Sequence, residues 1–229
     1  MRQFIRTLSF WLSVLGASSA LACVDSVVLV HGNTGSPDDW DNTYIELRAR
    51  GVPAGQIHRL SWGSSCAACN DHNGSEETPV LNALVDALAS SCTGRIDVIG
   101  HSMGVTLAAK QIVEYGLSGQ VDAFVGIAGA WRGLWTCGVY PFNVWNSTCG
   151  YYGLSVSSPL LDWLNGNNLG ARVYSIKSWA DQVVCATGTC LVNGVHSSRL
   201  SGESATFTFP LGHFGLQSGT PITQVDLIL

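Results

Sequence analysis

Arg95-Ile96-Asp97-Val98-Ile99-Gly100-His101-Ser102-Met103-Gly104 is the stretch on which the fold turns. Its first five residues read as a short buried strand. After it, Leu107, Ala108, Ile112 and Tyr115 recur at helical spacing, so the segment Val105 to Tyr115 reads as a helix. A G-x-S-x-G sequence between a strand and a helix describes a nucleophile elbow. The turn is so sharp that flanking positions need glycine, and the serine Oγ is pushed out at the top of the sheet. Glycine and serine are common residues, so the motif gains weight only from its context.

Outward from the elbow the chain alternates strands and helices. Val27 to Val30 is a continuous apolar run, as a strand covered on both faces requires. Ser36-Pro37-Asp38-Asp39 opens a helix with a serine cap, proline at the first position and acids in the first turn. Trp40, Tyr44 and Leu47 form its inner face and Gly51 ends it. Ile57 to Trp62 reads as a strand. Thr78-Pro79 starts a helix with Leu81, Leu84, Val85 and Leu88 on one face. Strands are expected at Val121 to Ala128, Ala171 to Lys177 and Ala205 to Phe209, and an amphipathic helix from Pro221 to Leu229. This alternation predicts one α/β domain, residues 23–229, with a mostly parallel sheet of about six strands and helices on both faces. An aromatic-rich insertion interrupts it at about 131–170. The insertion carries Trp131, Trp135, Tyr140, Phe142, Trp145, Tyr151, Tyr152 and Trp163. It reads either as an excursion with its own small core or as a wall over the site, with Trp135 and Trp145 as candidate substrate contacts.

The N-terminus reads as a leader. Arg2 and Arg6 form a basic start, Phe10 to Leu21 is an apolar stretch diluted by Ser and Gly, and Ala20-Leu21-Ala22 is a cleavage site. Removal of 1–22 and secretion, extracellular or periplasmic, are therefore expected, with no transmembrane anchor. The chain holds eight cysteines, which suits an oxidising compartment. Cys23 would be the first mature residue, as in a lipoprotein. The lipobox leucine is replaced by Ala20, and lipidation would leave an odd cysteine, so disulfide bonding of Cys23 is the favoured reading. The formal charge is −5, and losing the two leader arginines makes it more negative. Nothing basic remains to hold nucleic acid.

A serine hydroxyl needs a base within hydrogen-bond reach and an acid that orients the base. With this elbow the chain order is serine, acid, histidine. Asp122 starts its strand, at the wrong end of a sheet whose sites form at the carboxyl ends. Asp162 lies in the insertion and Asp226 in the last helix. Asp181 follows the strand ending at Lys177 by a short loop, which makes it the expected acid. The downstream histidines are His196 and His213. His213 follows the last strand through Pro210-Leu211-Gly212 and is the expected base, leaving His196 a structural role. An oxyanion would be held by the N–H of Met103, just after the nucleophile, and by that of Asn33 in the loop His31-Gly32-Asn33-Thr34-Gly35.

With these pieces placed, the chain resembles the small secreted bacterial lipases of class 2, in the α/β-hydrolase superfamily. The resemblance rests on Val28-Leu29-Val30-His31-Gly32, Ile99-Gly100-His101-Ser102-Met103-Gly104, Ala180-Asp181-Gln182-Val183-Val184, Ser198-Arg199-Leu200 and Leu211-Gly212-His213-Phe214-Gly215-Leu216. It implies a minimal six-stranded sheet and hydrolysis of acylglycerols or other carboxylic esters, with no metal and no cofactor. The partner is then an ester or lipid substrate, met in some cases at an interface, and a monomer is expected. Val105 stands where many of these lipases carry glycine, the insertion is long and eight cysteines are unusual. A polyhydroxyalkanoate-type polyester depolymerase uses identical chemistry and stays open. A non-catalytic binding protein is disfavoured by the intact Ser/Asp/His set.

Topology then suggests the cysteine pairs. Cys137 with Cys149 and Cys185 with Cys190 are local closures. Cys23 and Cys92 lead into neighbouring strands, and Cys66 with Cys69 would close on each other. A zinc role for that single C-x-x-C is disfavoured because no second ligand pair accompanies it.

Overall fold

The computed structural model describes residues 23–142 and 146–229, so the leader expected at 1–22 and Trp145 lie outside the described residues. The chain opens with β1 (Ser26–Val30), α1 (Asp41–Ala49), β2 (Ile57–Arg59) and α2 (Glu77–Ser90). The elbow segment follows as β3 (Ile96–His101) and α3 (Met103–Glu114), then β4 (Val121–Ile127). The insertion contributes β5 (Leu134–Val139), β6 (Ser155–Val156) and α4 (Pro159–Asn165). The chain then returns through β7 (Arg172–Lys177), β8 (Leu191–Val192), β9 (Val195–His196), β10 (Ala205–Thr208), α5 (His213–Gly219) and α6 (Pro221–Asp226).

Six strands form one sheet in the order β10-β7-β4-β3-β1-β2, every pairing parallel. Alternation along each strand sends side chains to opposite faces, and both faces are covered. Val28, Val30, Val98, Phe124 and Val173 pack with α2, α3 and α4 in one buried cluster. Val27, Leu29, Ile99, Val125 and Ile176 pack on the other face with Trp40, Leu47, Leu216 and Val225, from the α1 and α5–α6 side. A strand buried on both faces must be apolar at every position, which is why β1 reads as an unbroken run.

Two helices differ from the expected faces. The buried stripe of α2 is Val80, Ala83, Leu84 and Ala87, while Val85 is 52 % exposed and Leu81 and Leu88 are half-buried. The stripe keeps the same spacing but begins one residue earlier. The alanines let the helix lie close to β1 and α3, and packing distance outweighs the size of the leucines. Tyr115 is 55 % exposed at the end of α3, whereas every residue from Met103 to Ile112 is buried. The strand expected to run to Trp62 stops at Arg59, and the last helix stops at Asp226, preceded by the short helix α5, for which no periodicity in the sequence calls.

Val105 fits because glycine surrounds it. Cβ atoms added at Gly126 and Gly129 would lie 3.1 and 3.0 Å from its Cγ1, so those glycines make the space that its branched side chain fills. Among the described residues the insertion has no separate core. Trp131, Cys137, Leu154, Leu160, Leu161 and Leu164 join the cluster under α3. Its β5–β6 pair is stapled by Cys137–Cys149.

The remaining disulfides are Cys23–Cys92, Cys66–Cys69 and Cys185–Cys190, the pairs expected from topology, and there is no free cysteine among the described residues. No helix of the described residues is long and apolar enough to cross a membrane.

Candidate active site

All carboxyl ends of a parallel sheet emerge on one side, and four of them converge here. β3 runs directly into Ser102, β7 leads to Asp181, β10 leads to His213, and β1 leads to the His31-Gly32-Asn33 loop. Ser102 sits at φ 53° and ψ −126°, a conformation a side chain rarely adopts, held by its N–H donating to Ile127 O at 2.8 Å. The turn tolerates no bulk beside it. A Cβ on Gly104 would lie 2.3 Å from His31 O, and one on Gly100 would lie 2.8 Å from Val105 Cα.

The structure brings Ser102, His213 and Asp181 into one hydrogen-bonded line. His213 Nε2 is 2.9 Å from Ser102 Oγ, and His213 Nδ1 is 3.0 and 2.9 Å from the two oxygens of Asp181. A carboxylate only accepts, so Nδ1 carries the hydrogen and Nε2 is left to accept from the serine. Asp181 also accepts the N–H groups of Val183 and Val184 at 2.9 and 2.8 Å. Burial pushes its carboxyl up, but the His213 hydrogen bond and charge and these two amides outweigh burial and hold it below its ordinary value.

Neighbours fix the imidazole. His213 N–H donates to Gln182 Oε1 at 2.8 Å, which sets the first turn of α5. His101 Nε2 donates to His213 O at 3.1 Å, and the two rings lie 4.8 Å apart. Burial, reinforced by the neighbouring His213, drives His101 down to about 3, so it stays neutral beside the His213 ring. His196 is elsewhere. It is buried, its Nε2 donates to Ser178 O at 3.0 Å, its Nδ1 accepts from Ser198 N–H at 3.1 Å, and Trp179 packs edge-on to it. Every polar atom of that ring is engaged in holding loops.

Met103 is the first residue of α3, where backbone N–H groups have no intrahelical partner. On the other side, the Asn33 side chain is clamped. Its Nδ2 donates to Ala67 O at 2.8 Å, and Asn70 Nδ2 donates to Asn33 Oδ1 at 2.6 Å. The Thr148 hydroxyl, from the insertion, lies 2.5 Å from Ala67 O and 2.7 Å from Asn70 O and shares its one hydrogen between them. The insertion thus braces the Asn33 loop through the Cys66–Cys69 hairpin. Asn70 and Gln182 were missed by sequence reasoning, since nothing in local spacing marks a side chain whose partner is 37 or 31 residues away.

Ser102 opens into a cavity of about 190 Å³ lined among others by Gly32, Asn33, Ala67, Val183, His213 and Phe214. No described insertion residue lines it. Trp135 lies on β5 with its indole N–H donating to Leu191 O at 2.8 Å, and is not among the lining residues.

Asp122 is at the opposite end of the sheet, paired with Arg95 and Arg172, and Asp162 is in the first turn of α4. Asp226 is on the surface, bonded to Arg50. None approaches Ser102.

Structures of known proteins share this architecture. Lipase B of Aspergillus fumigatus superposes with a TM-score of 0.62 at 16 % identity, covering 85 % of this chain and 49 % of that one. Phospholipase PlaB of Legionella pneumophila gives 0.60 at 15 %, covering 89 % and 57 %. An extracellular alpha/beta-hydrolase from a Paenibacillus species gives 0.53 at 12 %, covering 89 % and 97 %. The chain therefore spans about half the length of the first of these. No curated protein matches its sequence. The sequence profile of the family described as Lipase (class 2) matches residues 25–209. The chain belongs to the class 2 lipase family of α/β-hydrolases.

Proposed function

We propose that this protein is a secreted serine carboxylic-ester hydrolase, a triacylglycerol lipase or esterase, with Ser102 as nucleophile, His213 as general base and acid, and Asp181 as its orienting acid. Ser102 Oγ attacks the ester carbonyl as its proton passes to His213 Nε2. The carbonyl oxygen becomes an oxyanion that the N–H groups of Met103 and Asn33 receive, at the positive end of α3. His213 then gives the proton to the leaving alcohol, and an acyl-enzyme on Ser102 remains. Water attacks it, His213 takes the water's proton, and the acid leaves as Ser102 recovers its own. Asp181, ionised throughout, stabilises the imidazolium that forms twice in this cycle.

The observation that carries this reading is the line Asp181–His213–Ser102, with both links near 2.9 Å. Family membership and the strained serine support it independently. The expected leader and the four disulfides support export.

The test is Ser102→Ala. It should abolish hydrolysis of p-nitrophenyl butyrate, a fall of about 10⁶-fold in kcat, while circular dichroism and Tm stay close to wild type. Retention of a tenth of the activity would assign the nucleophile elsewhere.

A further inference from the structure

Three apolar side chains wall the cavity in front of Ser102. Ala67 comes from the Cys66–Cys69 hairpin, Val183 from the loop that carries Asp181, and Phe214 directly follows His213. Most of the surface of this near part is apolar. Along α5 the cleft continues into a second part of about 320 Å³, which shares Asn33, Gly35, Asp39, Phe214 and Gln217 with the first. There polar and apolar surface are nearly balanced, and Phe214 is the one hydrophobic residue among Thr34, Ser36, Asp39, Gln217 and Ser218.

An apolar chain leaving the reacting carbonyl therefore finds a continuous apolar wall only over the near part. Each methylene taken out of water there strengthens binding by about fourfold. A methylene needs about as much room as a water molecule, on the order of 30 Å³, so the cavity of about 190 Å³ holds roughly six heavy atoms, about four once the carbonyl group is seated. The limit is firm because the walls are held. Ala67 O accepts from Asn33 Nδ2 at 2.8 Å and lies 2.5 Å from the Thr148 hydroxyl, and the Cys66–Cys69 bond closes the turn around it. Phe214 is 65 % exposed, yet its ring stands edge-on to His213 with centroids 5.3 Å apart and meets His101 at 6.3 Å. Such edge-to-face contacts are favourable, so the position of this wall is tied to the two histidine rings.

We propose that Ala67 and Phe214 set the length of the apolar arm that the site accepts, so that the preferred substrates are esters with one short arm, of about four carbons. The inference rests on the ester-hydrolase reading and names the substrate class of the same site. The arm is either the acyl chain or the alkyl group of the alcohol, and the experiment separates the two.

It measures kcat/KM, below the solubility limit of each ester, along two series: p-nitrophenyl esters from acetate to octanoate, and n-alkyl acetates from ethyl to octyl. In one of the series wild type should gain about fourfold for each added methylene up to about four carbons, and then level off or fall. Ala67→Leu, which fills the near part, should bring the break in to about two carbons and lower the four-to-two-carbon ratio by about tenfold. Phe214→Ala, which takes down the wall shared by the two parts, should move the break out to about six carbons or more. Each profile is a set of ratios within one protein, so any loss of folded enzyme cancels. A wild-type gain that continues to octanoate or octyl, flat profiles in both series, or a break unmoved in either variant overturns the length limit while leaving the hydrolase intact. Hydrolysis of no ester in either series by wild type overturns the hydrolase reading, and the length limit with it.

Discussion

Asp181 and Asp97 are both nearly sealed from water, at 1 % and 2 % exposure, and stand at opposite ends of the same sheet. Asp181 receives two backbone N–H groups and the His213 ring, and is held below its ordinary value although burial opposes this. Asp97, at the start of β3, accepts the single N–H of Ala123 at 3.0 Å. Burial, with the negative charges of Asp25 and Asp122 nearby, pushes it up to about 8. Equal burial has opposite consequences, because the number of donors aimed at a carboxylate decides whether it stays charged. The carboxyl end of the sheet keeps an ionised acid against the His213 ring, as the proposed mechanism needs. The amino end stores a neutral one between strands.

The largest effects lie at the carboxyl end. His213→Ala should lower kcat by about 10⁶-fold, and Asp181→Asn by about 10⁴-fold, since the amide can still hold the ring but stabilises the wrong tautomer. Steady-state rates on p-nitrophenyl butyrate read both. A milder effect of Asp181→Asn than of Asp162→Asn would break the comparison outright.

The two ends also differ in what their disulfides secure. Cys23–Cys92 joins the approaches to β1 and β3 across a sequence separation of 69. Replacing both by serine should cost about 2–5 kcal/mol of stability, read as a lower denaturant midpoint, with kcat at 25 °C retained. Cys66–Cys69 closes a hairpin whose Ala67 carbonyl holds the Asn33 side chain. Replacing that pair by serine should lower kcat by about threefold with little change in midpoint, because a looser hairpin loosens the loop of Asn33, the proposed oxyanion donor. Reversal of the two outcomes would mean that the braced loop does not serve the reaction.

The smallest effect tests Asp97 directly. Its folded value is raised, so the folded state keeps a proton that the unfolded chain releases above about pH 4. Its contribution is therefore fully present below pH 4 and is lost as pH climbs toward 8. Asp181 has the opposite sign, present above its unfolded value and lost as pH falls below it. Asp97→Asn should raise Tm at pH 8 by a few degrees, about 3 °C for each kcal/mol gained, with the gap closing by pH 4. Activity at pH 7 should be unchanged. A lower Tm at pH 8 would show that the carboxylate is charged and paired.

What the sequence made legible is what local chemistry fixes. The elbow could be read from Gly100 and Gly104 because only glycine fits against His31 O and Val105 Cα. The paired faces of β1 could be read from its unbroken apolar run. Residues whose role depends on distant partners were not legible. Asn70 and Gln182 act across the fold, and Val85 lost its place to Ala83 and Ala87 once α2 met its neighbours. The helix α5 was hidden because Gly215 and Gly219 weaken its intrinsic signal, while docking of Leu216 in the core under α1 holds it.

In the proposed mechanism Ser102 is a nucleophile because His213 can take its proton. Reaction of the protein with a p-nitrophenyl alkylphosphonate, followed by intact mass and peptide mapping, tests this most directly. One adduct per chain, on Ser102, is predicted, with none on His213→Ala in the same time. No adduct on the wild-type protein, an adduct on another serine, or undiminished labelling of Ser102 in His213→Ala would mean that Ser102 is not a nucleophile activated by His213.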